Sequence, residues 1–477
     1  MRRSRIAPAI VASAIAIGFI ADQLLRAPEW GVNVPLAAAL LALAGIANAK
    51  EKRPVWPWLA SIFFASMWAF RDDEALMAVD ILAALSLASL PLLREAGISL
   101  RTAGLVETAL APLRSAWATT IGTTGFVQFV RSSRDGETPT RNTQAIAVGL
   151  VLAVPVLFVF GTLFANADPV FGSTVRTIFS GPIVSHVFSI GALAWASAGY
   201  LWYVAKPARE PRTLFRVPEL GGVQVVTPIL ATVVLFALFI GVQLTSLFGG
   251  ASFVEHSTGL TYAEYARGGF FELVTASMLV LPIVYFAPAA AKPIDSATAT
   301  RLRALLTTLL ALTGLILASA MWRMRLYVGA FGLTEDRVHA VAVMLWIAAT
   351  LVVFALTIVR GRTGAAFGSL IAGIVALAAL NLMNPKATIA KYNLTHQTGR
   401  QIDFTHLAGL GGDAVPILVD NINRVPDTER CRVITEIRHR YVAVRGNWLG
   451  WNLARNRAHE AAITLQPAGP CPAPAGS

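Results

Sequence analysis

Thr261-Tyr262-Ala263-Glu264-Tyr265-Ala266-Arg267-Gly268-Gly269-Phe270-Phe271-Glu272-Leu273 runs straight into an apolar stretch that continues to Phe286. Three charges, Glu264, Arg267 and Glu272, stand at the mouth of that stretch. Charged groups beside hydrocarbon are costly, so they need partners or a task. On a helix Glu264 and Arg267 share a face, three residues apart. Glu272 lies five residues past Arg267, well round the helix, and needs a different partner. The stretch reads as the outer rim of a many-helix membrane bundle.

The rest of the chain supports that reading. Of 477 residues, 55% are hydrophobic and 14% charged, with a mean hydropathy of +0.61. Soluble domains carry roughly 25% charged residues. A soluble fold of this composition has nowhere to put its apolar surface, which must therefore face lipid. Apolar runs long enough to cross lie near 6–25, 32–49, 54–70, 75–93, 143–165, 183–205, 223–247, 269–290, 303–321, 338–359 and 363–383. The first follows Met1-Arg2-Arg3-Ser4-Arg5, like the front of a signal peptide, and reads as an uncleaved anchor. The third starts at Pro54 and carries Trp56, Trp58 and Trp68 near its ends, where indole rings favour the headgroup level.

Lysine and arginine assign the sides. With the N-terminus cytoplasmic, the inner segments hold 21 Lys and Arg and the outer loops 7, the other 11 following residue 383. This is a positive-inside pattern. The net charge of +12 thus reports orientation, and no nucleic-acid partner is expected. Eleven crossings leave the last 94 residues outside. Both cysteines, Cys431 and Cys471, fall there. An oxidising compartment permits a disulfide between them, although Cys471 sits in a loose Pro/Ala/Gly tail and two separate thiols fit as well.

The longest inner connection, 94–142, repeats Ile98, Leu105, Leu113 and Trp117 at helical spacing, with Arg101, Glu107 and Arg114 between them. Over 96–130 this predicts an amphipathic helix lying on the inner leaflet. The longer outer loops are 166–182, where Asp168-Pro169 predicts a turn and a helix cap, then 248–268, and 322–337. In the last of these, Glu335 and Asp336 suit a first helical turn. Beyond Met383, polar helical segments near 386–394, 402–409, 413–423, 427–443 and 449–464 build a small extracytoplasmic domain over 384–465. A disordered tail follows over 466–477.

The stretches Asn166 to Phe171, Thr261 to Leu273, Arg323 to Trp346, and Asn384-Pro385 through Ala390-Lys391-Tyr392-Asn393-Leu394 together resemble a bacterial inner-membrane family. It is known only as a domain of unknown function, the 4153/4173 group. The resemblance covers about residues 145–465 and implies a polytopic bacterial membrane protein without naming a chemistry. Gly268 and Lys386 depart from it, standing where an Arg and an acidic residue are expected.

Several residues could carry chemistry. Glu264, Arg267, Glu272, Arg323, Arg325 and Asp168 lie on one side by this topology and form a candidate polar site at the outer rim, opened by Gly268-Gly269. Interhelical salt bridging is the plainer use of such charges. Asp80, one to two turns into the fourth span, and Asp22, near the outer end of the first, are intramembrane carboxylates and so candidates for proton or ion handling. Asp72 and Asp73, in the outer loop 71–74, could hold a divalent cation, but the loop is too short for a pocket. All seven histidines, among them His186 and His339, fall on or near the outer side, without metal-ligand spacing. Trp448 and Trp451 sit three apart with Arg455 beyond, suiting a helix laid on the membrane, on a partner or on its own domain. There is no phosphate loop, nucleophile elbow or zinc motif, and no metal or cofactor is expected.

The sequence thus predicts an all-α membrane bundle of about eleven spans, N-terminus inside, and the family resemblance implies a bacterial inner membrane. The first functional expectation is a non-enzymatic envelope sensor, scaffold or partner-binding module, with the bilayer and an envelope protein docking on 384–465 as partners. A transporter or lipid-carrier-handling protein is second, and a membrane glycosyltransferase resting on Asp72 and Asp73 is third.

Overall fold

The computed structural model describes residues 3–49, 54–94, 97–101, 103–132, 160–179, 182–206, 218–248, 269–291, 295–396, 402–443 and 447–466. Among these there is no strand. Eight helices are long and apolar enough to cross a membrane, and two shorter apolar helices accompany them. The chain divides into two compact units.

The first unit comprises Met1–Leu100, Val106–Arg212 and Arg445–Leu453. Its helices are α1 (Arg3–Leu25), α2 (Asn33–Asn48), α3 (Trp56–Phe70), α4 (Glu74–Ser89), α5 (Ala111–Ser132), α6 (Pro169–Phe179) and α7 (Pro182–Ala205). Close packing between α1 and α7 depends on Gly18. A Cβ there would stand 2.6 Å from the Ile190 carbonyl oxygen, so only glycine lets the backbones meet. In the core, Trp58 Nε1 donates to the Tyr200 hydroxyl at 2.8 Å, and that hydroxyl donates to the Ala88 carbonyl at 2.8 Å. The relay satisfies the polar atoms of two large buried side chains. Helix α5 crosses α7: Trp195 Nε1 donates to the Thr120 carbonyl and Thr123 Oγ1 to the Trp195 carbonyl. Leu113 and Trp117 stay exposed on α5, so one face is covered by protein and another is apolar and open.

The second unit comprises Arg101–Leu105, Thr213–Val444 and Ala454–Ser477. It contains α8 (Gly222–Phe248), α9 (Phe270–Ala290), α10 (Ser296–Phe331), α11 (Glu335–Thr357) and α12 (Ala365–Met383). The smaller helices α13 (Pro385–Thr395), α14 (Phe404–Gly409), α15 (Val415–Asp420), α16 (Asp427–Tyr441) and α17 (Leu453–Thr464) follow. The core lies between α9, α10 and α11, around Val284, Leu309, Met344 and Ile347, all 0% exposed. Apolar residues on the outward faces, such as Leu238 and Leu279, are exposed. In hydrocarbon that costs nothing, and helix association rests on close packing instead.

Local signals explain several boundaries. Asp295 caps α10 by accepting the Thr298 N–H at 3.1 Å. The hydrogen bonds from Thr298 hold its carboxyl below the usual carboxylate range. Asn384, at φ 57, is the one described non-glycine residue in the left-handed region, which asparagine tolerates. It caps α13 by accepting the Ala387 N–H at 3.3 Å and donates to Asp413 at 2.7 Å. Pro385 then occupies the first helical turn, where its missing N–H costs nothing.

Two expectations differ from the structure, and a third is not met by described residues. Residues 322–331, read as loop, continue α10, a helix of 36 residues. At about 1.5 Å per residue it is ~54 Å long, well beyond a hydrocarbon core of roughly 30 Å. Arg323 and Arg325 mark the span's edge but are good helix formers, and the helix ends only at Gly332 (φ +76). Trp448 lies in a 3-10 turn (Trp448–Gly450), and Trp451 just past it, ahead of α17. Most of the 143–165 run lies outside the described residues.

Candidate polar sites at the helix ends

In the first unit, Asp22 is buried in the last turn of α1. Arg26, one turn on, donates from Nε to Asp22 Oδ1 at 2.7 Å. From α7, His186 Nδ1 meets Asp22 Oδ2 at 2.5 Å, and the Ser189 hydroxyl donates to Oδ1. The guanidinium of Arg26 also reaches Ser185 Oγ at 3.0 Å and Ser189 Oγ at 2.8 Å. A buried carboxylate is tolerable only when its lone pairs are filled, and here two helices fill them. The serine bonds the carboxylate and not the imidazole, so this is not the relay of a nucleophilic triad. It is a charged clasp between α1 and α7, with the His186 side chain 38% exposed.

The same end of this unit carries a second construction. Asn452 Nδ2 donates to the Trp68 and Arg71 carbonyls at 2.8 and 2.7 Å. Val32 N–H donates to the Trp451 carbonyl at 3.1 Å. Gly31 lies so close to that carbonyl that a side chain has no room. Trp30 and Trp68 rings meet at 5.0 Å. Residues 447–453 are therefore latched onto the α1–α2 and α3–α4 turns. Asp73 caps α4 by accepting the Leu76 N–H at 3.1 Å, which commits a carboxylate the sequence offered for a cation. Asp80 is fully buried in α4. Asp168 Oδ1 accepts the Val170 and Phe171 N–H groups at 2.7 and 3.1 Å and so caps α6.

In the second unit, Glu264 and Arg267 lie outside the described residues, so their pairing is open. Glu272 is exposed in the first turn of α9, and Arg325 is exposed on α10. Arg323 Nη1 lies 3.8 Å from the Cβ position of Gly269, which places its guanidinium against the start of α9. Two of the stretches quoted for the family resemblance meet here. Asn393 on α13 accepts the Leu333 N–H and donates to the Leu333 carbonyl, both at 2.8 Å. Lys386, 9% exposed, lies 3.5 Å from Glu335. Arg337 donates to the Phe331 and Gly332 carbonyls and stacks on Tyr327 at 4.1 Å, so it closes the end of α10. His339 Nε2 is buried without a hydrogen bond among the described residues.

Among the described residues no three His, Cys, Asp or Glu side chains gather as a metal site. Cys431 lies on α16, and Cys471 falls outside the described residues. Sequence reasoning named Asp22 and His186 but did not join them. No pairing follows from the sequence for Ser189, Asn393 and Asn452, whose partners lie 167, 60 and more than 380 residues away.

These features are those of an all-helical, multi-pass membrane protein. A family model described as Domain of unknown function (DUF4153) matches residues 58–421, and the chain belongs to that family. No curated protein and no solved structure matches it.

Proposed function

We propose that the protein is a bacterial inner-membrane protein of eleven spans, N-terminus inside, that works without catalysis as an envelope sensor, scaffold or partner-binding module through its outer face. The observation that carries this reading is the latch of residues 447–453 onto the turns at 26–32 and 68–73. It holds residues 447–453 at the end of the first unit that the chain reaches after one crossing. An even number of crossings must then separate residue 73 from residue 447. The described long apolar helices between them are seven. One more is required, and the apolar run expected to cross near 143–165 is the candidate for it. The count is independent of α2 and α3, which together go and return. With the positive-inside bias, the latched end is the outer one, and 384–465 is the region offered to an envelope partner.

The test uses the full-length protein. Reconstituted alone, it is expected to turn over and transport nothing. In intact cells, a photo-crosslinking side chain in place of Trp448, which is 67% exposed, is expected to yield one discrete protein adduct that Asn452→Ala abolishes. Turnover or uptake by the isolated protein would overturn the reading. It would favour the second one, a transporter or lipid-carrier-handling protein, for which the observation is two carboxylates, Asp22 and Asp80, buried within spans. An uptake unaffected by Asp80→Asn and Asp22→Asn would remove that motive.

A further inference from the structure

Helices α10 and α11 leave between them an apolar groove of about 540 Å³, running from Thr307 and Ala355 at one end to Met321 and Met344 at the other. Its floor is open because Gly314 has empty space where a Cβ would stand. From Thr307 to Met321 is about 21 Å of helix at 1.5 Å per residue, most of the way across a hydrocarbon core. A groove of this shape within spans is filled by hydrocarbon.

Its lower end is basic. Arg303 lies one turn before Thr307, on the stripe that lines the groove. Its Nη2 comes within 3.8 Å of the Cβ position of Gly361. The guanidinium thus lies against the α11–α12 turn, which carries Arg360 and Arg362. That turn is closed by Arg362 N–H donating to the Thr357 carbonyl at 2.7 Å, with Gly361 at φ +65. All three arginines are exposed, and none forms an ion pair with a described carboxylate. Guanidinium groups match phosphate geometry in paired hydrogen bonds.

We propose that this groove is a binding site for an anionic phospholipid of the inner leaflet, with one acyl chain between α10 and α11 and the phosphate headgroup held by Arg303, Arg360 and Arg362. The chain portion gives little selectivity, since it leaves hydrocarbon to enter hydrocarbon. Selectivity for charge comes from the arginines, at about five-fold each (about 1 kcal/mol). The site is independent of the sensor or transporter reading. It needs only the two helices and the turn, and its placement in the inner leaflet rests on the proposed N-terminus-inside orientation.

The experiment is native mass spectrometry of the purified full-length protein titrated with phosphatidylglycerol or, separately, phosphatidylethanolamine. Wild type is expected to retain phosphatidylglycerol preferentially. Arg303→Gln/Arg362→Gln is expected to lower that retention on the order of twenty-fold, towards the phosphatidylethanolamine level, while Arg303→Lys/Arg362→Lys keeps most of it. Gly314→Leu, which fills the groove, is expected to lower retention of both lipids. Equal retention of the two lipids by wild type, or unchanged phosphatidylglycerol retention in the glutamine variant, would overturn the proposal. A wild-type dimer that Gly314→Leu dissociates would overturn it too, by showing a second copy in the groove.

Discussion

Asp22 shows what a single charged residue does inside this fold. Its carboxylate has no exposed side-chain surface, and Arg26, His186 and Ser189 satisfy it. Asp22→Ala leaves Arg26 with only the Ser185 and Ser189 hydroxyls and removes the shared acceptor between α1 and α7. Breaking a buried pair costs about 3–5 kcal/mol, and the 37% exposure of Arg26 moves the expectation to roughly 2–3 kcal/mol. Thermal unfolding in detergent should show a clear fall in midpoint for Asp22→Ala and a smaller one for Asp22→Asn, which keeps hydrogen-bonding atoms. An unchanged midpoint for the alanine variant would show that the clasp does not hold α1 to α7. In the sequence Asp22 was legible as an intramembrane carboxylate, because its neighbours are apolar. Its partners on α7 were not, since His186 lies 164 residues away and nothing local marks that pair. The same distance effect hid Lys386 and Glu335. By contrast the capping role of Asp168, which acts over three residues, was legible.

At the scale of elements, apolar length and turn chemistry decided most of what was legible. The described crossing helices fall where the apolar runs were, because a span must be long and apolar whatever it packs against. Helix ends set by a local residue, such as Asn384-Pro385, were legible for the same reason. The end of α10 was not: Arg323 and Arg325 signal the edge of hydrocarbon, but helix termination needs Gly332 and the carbonyls that Arg337 takes up. The joint between the α10–α11 turn and α13 rests on Asn393, which makes two hydrogen bonds to Leu333. Each is worth about 0.5–1.5 kcal/mol net. Asn393→Ala should therefore cost about 1–3 kcal/mol, and it should raise amide exchange or protease cleavage at 332–334 before it affects the core of α9 to α11. Cleavage rising equally in both regions would mean that the joint is not a separate, local contact.

At the scale of the whole molecule, two lines of argument support the proposed topology. On that topology lysine and arginine crowd one set of loops, the bias expected of cytoplasmic segments. The latch holds residues 447–453 at the end of the first unit that carries 26–32 and 68–73, and on the proposed topology this calls for an even number of crossings between residues 73 and 447 without reference to charge. The charge bias was legible because it is a property of composition along the chain. The latch was not, because Asn452 meets residues more than 380 positions away. The two lines would disagree if the run near 143–165 failed to cross. Their agreement is the central claim, and it is most directly tested by paired reporter fusions after Ser477, alkaline phosphatase in one strain and a green fluorescent protein in the other, with the same pair placed after Arg362 as the internal control. The account predicts active phosphatase and no fluorescence at Ser477, and the reverse at Arg362. Fluorescence without phosphatase activity at Ser477 would contradict it, and would put the latched end and its Trp448–Asn452 segment in the cytoplasm.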